Sequence, residues 1–134
     1  MKLRFFALVA LLSFVCIGAN AQCKGKCRNG FGTFTFEDGE VYKGNFVDGK
    51  FDGKGSYTFK SGSAYEGDYK AGIREGKGKF TYASGDVYEG DFVNGLPEGK
   101  GVYTFASGTK QTGIFENSEM IEEISIERQN KKRK

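Results

Sequence analysis

The sequence predicts an all-β fold, an elongated single-layer antiparallel meander of β-hairpins that ends in a short C-terminal cap. Three observations predict it. Glycine and aromatic residues recur with a period of 23 from residue 30 to about 117. Within each unit they occupy every second position, as in a β-strand. A glycine-containing turn follows each run of alternation.

The period places identical or similar residues in fixed columns. One column is Tyr42, Tyr65 and Tyr88, and two positions later comes Gly44, Gly67, Gly90 and Gly113; a second glycine column is Gly32, Gly55, Gly78 and Gly101. Of the 21 glycines, only Gly18 and Gly25 fall outside the pattern. We predict eight strands, at residues 30–37, 40–47, 53–60, 63–70, 76–83, 86–93, 99–106 and 109–116.

The short turn of each unit predicts the register of the strands that it joins. A three-residue turn at 60–62 pairs Phe59 with Ser63 and Tyr57 with Tyr65, and it ends on a glycine, which tolerates a left-handed conformation. Residues directly opposite one another lie on the same face. The short turn therefore keeps the aromatic columns together.

The longer turn predicts the other half of the register. A six-residue turn at 47–52 pairs Phe46 with Gly53 and Tyr42 with Tyr57. Together the two turns produce one row of aromatic residues beside one row of glycines. We expect the glycines to leave room for the rings to lie flat, so that this face is the core.

The opposite face carries charges that also repeat. The predicted cross-strand pairs are Glu66 with Lys79, Asp68 with Lys77, and Asp91 with Lys100. Ion pairs on a solvated face are the favoured interpretation, because opposite charges across a ladder attract. The alternative is a surface for lipid headgroups. Its candidate contacts are Lys54, Lys77, Lys79, Lys100, Lys131, Lys132, Arg133 and Lys134.

The repeated unit resembles a known family. Residues 42–49 read YKGNFVDG and are followed by GKG at 53–55, while 65–69 and 88–92 read YEGDY and YEGDF. These segments are similar to the MORN (membrane occupation and recognition nexus) repeat, here of the secreted bacterial type, over about two thirds of the chain. The resemblance implies a hairpin array used for attachment or scaffolding, through contact with proteins or phospholipids. Kinase or methyltransferase activity in that family belongs to separate domains.

The last copy departs from the repeat and indicates a terminal cap. Gln111 stands where the leading tyrosine is expected, and Ser118 stands in place of a glycine. Beyond it, the isoleucines between 121 and 126 suit either a short helix or a strand. Either would cover the last sheet edge.

The first 21 residues are typical of a secretory signal peptide. Lys2 and Arg4 precede the uncharged apolar stretch 5–18, and Ala19-Asn20-Ala21 has the small residues of a cleavage site. We expect cleavage near Ala21 and a secreted, periplasmic or cell-envelope location. The chain then divides into a signal peptide (1–21), an N-terminal segment (22–29), a repeat array (30–117), and a cap with a basic tail (118–134).

Charge and cysteine content limit the function further. The chain has 20 Lys and Arg against 17 Asp and Glu, so removal of Lys2 and Arg4 lowers the net charge from +3 to +1. This balance does not favour a nucleic-acid partner. Cys23 and Cys27 remain as candidates for a small disulfide loop. We expect no metal and no cofactor, since the chain has no histidine.

We expect a non-catalytic module, because no nucleophile and base are found together in the sequence. The leading hypothesis is protein–protein interaction or self-association, including a homodimer, through exposed aromatic side chains. The candidate surface is Tyr42, Phe46, Tyr57, Tyr65, Tyr69, Phe80, Tyr88, Phe92 and Tyr103. Peripheral binding to an anionic phospholipid membrane is the alternative, and binding of an envelope glycan is a second one.

Overall fold

A computed structural model describes residues 21–128 of the chain, which form a single antiparallel sheet of ten strands. The strands are β1 (Gln22–Gly25), β2 (Gly30–Thr35), β3 (Val41–Val47), β4 (Lys50–Thr58), β5 (Ala64–Lys70), β6 (Ile73–Thr81), β7 (Val87–Val93), β8 (Leu96–Thr104), β9 (Lys110–Glu116) and β10 (Glu119–Glu127). Each strand pairs with its neighbour in sequence, and the described part of the chain contains no helix. The predicted all-β meander is confirmed, with one further strand at each end.

The longer predicted turn is wrong. Asp48 and Gly49 form a two-residue turn with φ of 49° and 77°, a conformation that suits the twist of a hairpin. The next strand starts at once, so Phe46 pairs with Phe51 and not with Gly53. The displaced residues form a β-bulge, where Gly53 has a φ of 79°. The predicted pairing of Tyr42 with Tyr57 survives because the bulge absorbs the difference.

The shorter turn has the predicted register. The amide of Phe59 donates to the carbonyl of Ser63 at 2.9 Å, and Gly62 closes the turn with a φ of 90°. Tyr57 pairs with Tyr65 beyond it. The two kinds of turn therefore alternate along the sheet and keep each column in line.

The glycine row lets the aromatic rings lie on the backbone, as the sequence predicted. Gly55 pairs with both Gly44 and Gly67, and the row continues through Gly78. A Cβ atom added at Gly78 would lie 2.5 Å from the hydroxyl oxygen of Tyr65. Any larger residue there would displace the ring.

The core is a chain of aromatic rings on one face of the sheet. Its buried members are Tyr42, Phe46, Tyr65, Tyr69, Tyr88, Phe92 and Phe115. Tyr65 meets Tyr69 of its own strand and Phe92 of the next hairpin edge to face, with ring centroids 5.1 and 5.0 Å apart. Such pairs contribute about 0.5–1.5 kcal/mol each beyond the area that they bury. The rings thus link each repeat to the next.

Side chains at both ends of the strands join successive turns. The Asp52 carboxylate accepts a hydrogen bond from the Ala71 amide, and Glu75 accepts one from Asn94, each 19 residues further along. At the opposite ends of the strands, Asp86 accepts from the Ala106 amide, 20 residues away. These bonds, which were not predicted, fix each of these turns to the equivalent turn of the preceding repeat.

The C-terminal segment is a strand and not a helix. β10 pairs with β9 through two register shifts, and its Met120 packs against the aromatic core. It covers the edge of β9 as predicted but leaves its own outer edge open, with Ile121 60% and Ile124 50% exposed. Residues 1–20 and 129–134, which include the expected signal segment and the basic tail, lie outside the described residues.

Candidate functional site

A groove with a volume of about 1000 Å³ runs across seven strands on the face opposite the core. Volumes of this size are typical of ligand-binding clefts. Its lining side chains are Phe31, Lys43, Lys54, Ser56, Glu66, Lys77, Lys79, Glu89, Lys100 and Val102, and its remaining lining residues are glycines of the central row.

The repeat itself forms this groove. Side chains at the positions of the glycine row would point to the aromatic face, so on this face the backbone of that row is the floor of the groove. The residues on either side of each glycine point away from the aromatic face because side chains alternate along a strand. Lys54, Lys77 and Lys100 recur at the 23-residue period along one wall. The other wall includes Glu66, Lys79 and Glu89.

The ion pairs of the groove differ in part from the predicted ones. Lys54 binds Asp68 at 2.6 Å and Lys77 binds Asp91 at 2.7 Å. The predicted side-chain pair of Asp68 with Lys77 is wrong, since the bulge between β5 and β6 lets Asp68 accept only the backbone amide of Lys77, at 3.2 Å.

The other two predicted pairs have opposite outcomes. Asp91 pairs with Glu98 across β7 and β8 instead of with Lys100, because the sheet shifts register between Gly90 and Asp91. Glu66 lies directly opposite Lys79, as predicted. Since Lys79 also lies opposite Glu89, the second wall alternates in charge.

The structure brings together four of the lysines that the sequence suggested for headgroup contact. Lys54, Lys77, Lys79 and Lys100 all line the groove, and Lys43 joins them. The four basic residues at 131–134 lie outside the described residues. The groove is therefore rich in lysine, but glutamates and aspartates separate the positive charges.

Most of the predicted aromatic surface is core and is not exposed. Tyr42, Phe46, Tyr65, Tyr69, Tyr88 and Phe92 have exposed fractions between 0 and 6%. The expectation that these side chains are exposed is wrong for these six, because they pack on the glycine row and on one another. The other three candidates, Tyr57, Phe80 and Tyr103, are half-buried and flank the core.

The buried tyrosines are neutral structural donors. The hydroxyl groups of Tyr42 and Tyr65 each donate to a backbone carbonyl three residues ahead in the chain, at 2.8 Å. Burial raises the pKa of each of these tyrosines to about 12, and nearby Asp52 or Asp68 adds to the effect. Groups with such a pKa hold their proton at neutral pH, which suits a structural role and not proton transfer.

A smaller cavity of about 270 Å³ lies on the aromatic side, lined by Phe51, Tyr57, Phe59, Tyr69, Gly72, Ile73, Arg74 and Gly95. Arg74 occupies the column in which the preceding repeat has Phe51. Its guanidinium lies 5.3 to 5.7 Å from the ring centroids of Tyr65, Phe80 and Phe92. This cation–π contact was not predicted, because the column reads Arg28, Phe51, Arg74 and Pro97 and has no repeated residue type that would indicate an aromatic contact.

The two cysteines of the described residues have a structural role. Cys23 and Cys27 form a disulfide beside β1. Between residues 21 and 128, no three side chains of His, Cys, Asp or Glu gather to hold a metal ion. Within the same residues there is no helix with the length and apolar character needed to cross a membrane.

Comparison with known proteins agrees with this geometry. The family model of the MORN repeat matches residues 28–41, 42–64, 65–87 and 88–110, which is more than half of the chain. A search of curated proteins finds no match. MORN repeats are generally non-catalytic and are associated with binding to proteins or membrane lipids. The chain belongs to the MORN repeat family.

Proposed function

We propose that this chain is a secreted, non-catalytic module that binds a partner protein by holding an extended segment of it along the glycine groove. The observation that supports this function is the groove itself, about 1000 Å³ in volume and continuous over β2 to β8. Strands lie about 4.8 Å apart, so seven strands span about 29 Å. That length accommodates about nine residues of extended polypeptide.

The charge pattern favours a polypeptide over a uniformly anionic surface. Lys79 lies between Glu66 and Glu89, and Asp68 and Asp91 hold two of the other lysines. A segment with both acidic and basic side chains would find an oppositely charged partner for each along such a groove. A run of phosphates would be attracted by the lysines but repelled by the carboxylates. Charge complementarity of this kind gives specificity.

The backbone of the glycine row forms the floor of the groove, because the side-chain positions of that row point to the aromatic face. A bound segment therefore contacts backbone along the centre of the groove. Phe31, which is 56% exposed, and Val102 provide apolar contacts towards the two ends of the groove. A partner with mixed charges and an apolar residue at each end would therefore match the whole length.

Peripheral binding to an anionic membrane is the second candidate, and the gathering of five lysines in one groove favours it. Lysines near an anionic surface contribute roughly 1 kcal/mol each. A glycan is the third candidate, favoured by the aromatic cavity around Arg74 on the other face. The three candidates predict different contact residues and different responses to salt.

The test is selection of random dodecapeptides displayed on phage against the immobilised protein. We expect enriched peptides to bind the unaltered chain and to lose about tenfold in affinity on Lys79→Glu, since about 1.4 kcal/mol corresponds to a factor of ten. The matched control is Lys50→Glu, which makes the same change of charge at a hairpin turn outside the groove.

The alternatives are separated in parallel. Co-sedimentation with phosphatidylcholine vesicles that contain phosphatidylserine, lost at high salt, would replace the proposal with membrane binding. Binding to a glycan array that depends on Arg74 would replace it with glycan binding. Failure to enrich any peptide, or equal affinity of the Lys79→Glu and Lys50→Glu variants, would overturn the groove as the protein-binding site.

A further inference from the structure

The sheet is open at both ends. Within residues 21–128, β1 pairs only with β2 and β10 pairs only with β9, so each leaves the outer side of its backbone unpaired. An unpaired strand is a template for another strand, and many proteins block it with charge, bulges or a covering element. Here the two open edges carry opposite charges.

The first edge is basic and the last is acidic. Residues 22–28 contain Lys24, Lys26 and Arg28 and no acid, and all three basic side chains are exposed. Residues 116–127 contain five glutamates and no base, and every one of the five is exposed. The last edge also presents Ile121, Ile124 and Ile126, which are 60, 50 and 41% exposed. The ends are therefore complementary to each other and not to themselves.

We propose that copies of this protein associate head to tail, with β10 of one copy adding to β1 of the next so that the sheet continues from chain to chain. Ten strands alternate in direction, so the first and last strands run in opposite directions. A copy placed in line with the sheet brings its β1 antiparallel to β10, the arrangement that every other pair in the sheet has. This inference concerns the ends of the sheet and stands independently of the groove.

The rows of the sheet fix the register of this contact. Gly25 pairs with Gly32 on the glycine row, and at the other end Glu123 pairs with Gly113 on the same row. Keeping that row in line places Gly25 of the added copy beside Glu123. Lys26 then lies beside Glu122, which is a favourable cross-strand pair.

Association of like ends is disfavoured by the same charges. Two β10 edges would bring eight glutamates together, and two copies of residues 22–28 would bring six cations together. Like charges across strands repel. The head-to-tail contact is heterologous, so it does not close on itself and adds copies along the direction of the sheet. β1 starts directly after Ala21, the expected cleavage position, and the processed chain would present this edge.

The test is sedimentation velocity of the full chain after processing and purification from cells, over a range of concentrations at low and high salt. We expect the average sedimentation coefficient to rise steadily with concentration at low salt and to fall at high salt, because only four residues of β1 contribute to each contact. A coefficient that does not change with concentration, or that levels off at a dimer, would overturn the proposal.

Charge-reversed variants identify the contact. The double variant Glu122→Lys/Glu123→Lys changes the net charge of β10 from −4 to zero and places a lysine beside Lys26 of the next copy. Lys24→Glu/Lys26→Glu changes the net charge of residues 22–28 from +3 to −1. We expect each alone to associate at least about tenfold more weakly than the unaltered chain and an equimolar mixture of the two to regain association. Glu37→Lys/Glu89→Lys is the control, since it changes the charge equally away from both edges.

The mixing result also excludes the main competing arrangement. A dimer through two β10 edges would not be weakened by Glu122→Lys/Glu123→Lys, because the substitutions remove the net negative charge that makes two β10 edges repel. Association retained by either variant alone, or a mixture that stays as weak as its components, would overturn head-to-tail addition. Equal melting temperatures of the variants would show that folding is not the cause of the loss.

Discussion

The two faces of this sheet have the same strands and the same glycine row but opposite composition. On one face the rings of Tyr42, Tyr65 and Tyr88 are 0 to 1% exposed. On the other, the side chains of Lys54 and Lys77 are about three-quarters exposed and form ion pairs with aspartates at the solvent-exposed surface. The face that has the large aromatic residues is the core, and the charged face has the groove.

This difference teaches that a single-layer sheet can bury its hydrophobic face without a second layer and without a binding partner. The usual solution is to cover that face with a second layer. Here the missing side chains of the glycine row provide the space, and each ring covers the backbone of neighbouring strands. The two faces should therefore respond very differently to substitution, and three experiments compare them.

The largest difference is expected for an added side chain. Gly78→Val would drive two methyl groups into the ring of Tyr65, whose atoms lie 2.5 to 2.7 Å from the position of the new Cβ. We expect a loss of about 3 kcal/mol or more in the free energy of unfolding, at the upper end for overpacking. Urea denaturation measures it.

The matched substitution is Ser56→Val, which places the same side chain on the groove wall of β4, two strands away. It should change the free energy of unfolding by less than about 1 kcal/mol, since valine suits a strand. Equal losses for the two variants would mean that the glycine row does not support the rings.

The second difference is in the response to alkaline pH. The pKa values of Tyr42, Tyr65 and Tyr88 rise from 10 in the unfolded chain to about 12 in the sheet, mainly through burial. Because the folded pKa is the higher one, this stabilisation is complete below pH 10 and is lost as the pH rises towards 12. Each tyrosine contributes at most about 1.4 kcal/mol per pH unit in that window.

Urea denaturation at a series of pH values between 8 and 12 measures this loss; the lower limit is chosen about two units below the pKa of free tyrosine. Tyr65→Phe removes one ionisable group and should make the decline shallower, although it also removes the hydrogen bond to the Asp68 carbonyl. A decline that is as steep in this variant as in the unaltered chain would assign the pH dependence to other groups.

The smallest effect is expected from an ion pair in the groove. Lys77 and Asp91 lie 2.7 Å apart, but the lysine side chain is 73% exposed. A double-mutant cycle with Lys77→Gln and Asp91→Asn should give a coupling energy of about 0.2–1 kcal/mol that decreases with added salt. A coupling well above that range would show that the charged face also stabilises the fold.

The sequence was sufficient for the features that depend on strand periodicity. The pairing of Tyr57 with Tyr65 follows from alternation and from the three-residue turn. The pairing of Tyr57 with Tyr42 was predicted from the six-residue turn and is correct because the bulge absorbs the error in that turn. The repeated columns also predicted that glycines and rings share one face. Periodicity does not indicate, however, which rows of side chains become buried, so the burial of Tyr69 and Phe92 was not predicted.

The features that were missed follow from the two-residue turn and the bulge, which recur in each unit. Asp48-Gly49 is a strong signal for a two-residue turn. The predicted turn instead covered residues 47–52, so Phe51 was placed in a loop. In the structure its ring stacks on that of Tyr42 at 3.6 Å between centroids. The bulge that reconciles this turn with the register forms only when the neighbouring strands are in place. For the same reason, the ion pairs beyond it moved by one strand.

Under the proposed function, the bonds between successive turns relate the length of the bound segment to the number of repeats. Because Asp52 and Glu75 occupy equivalent positions and hold the next turn in the same way, one 23-residue unit can be removed or duplicated without disturbing the joints. Each unit adds two strands, or about 10 Å, to the groove. The number of repeats would then set the length of the partner segment that the groove holds.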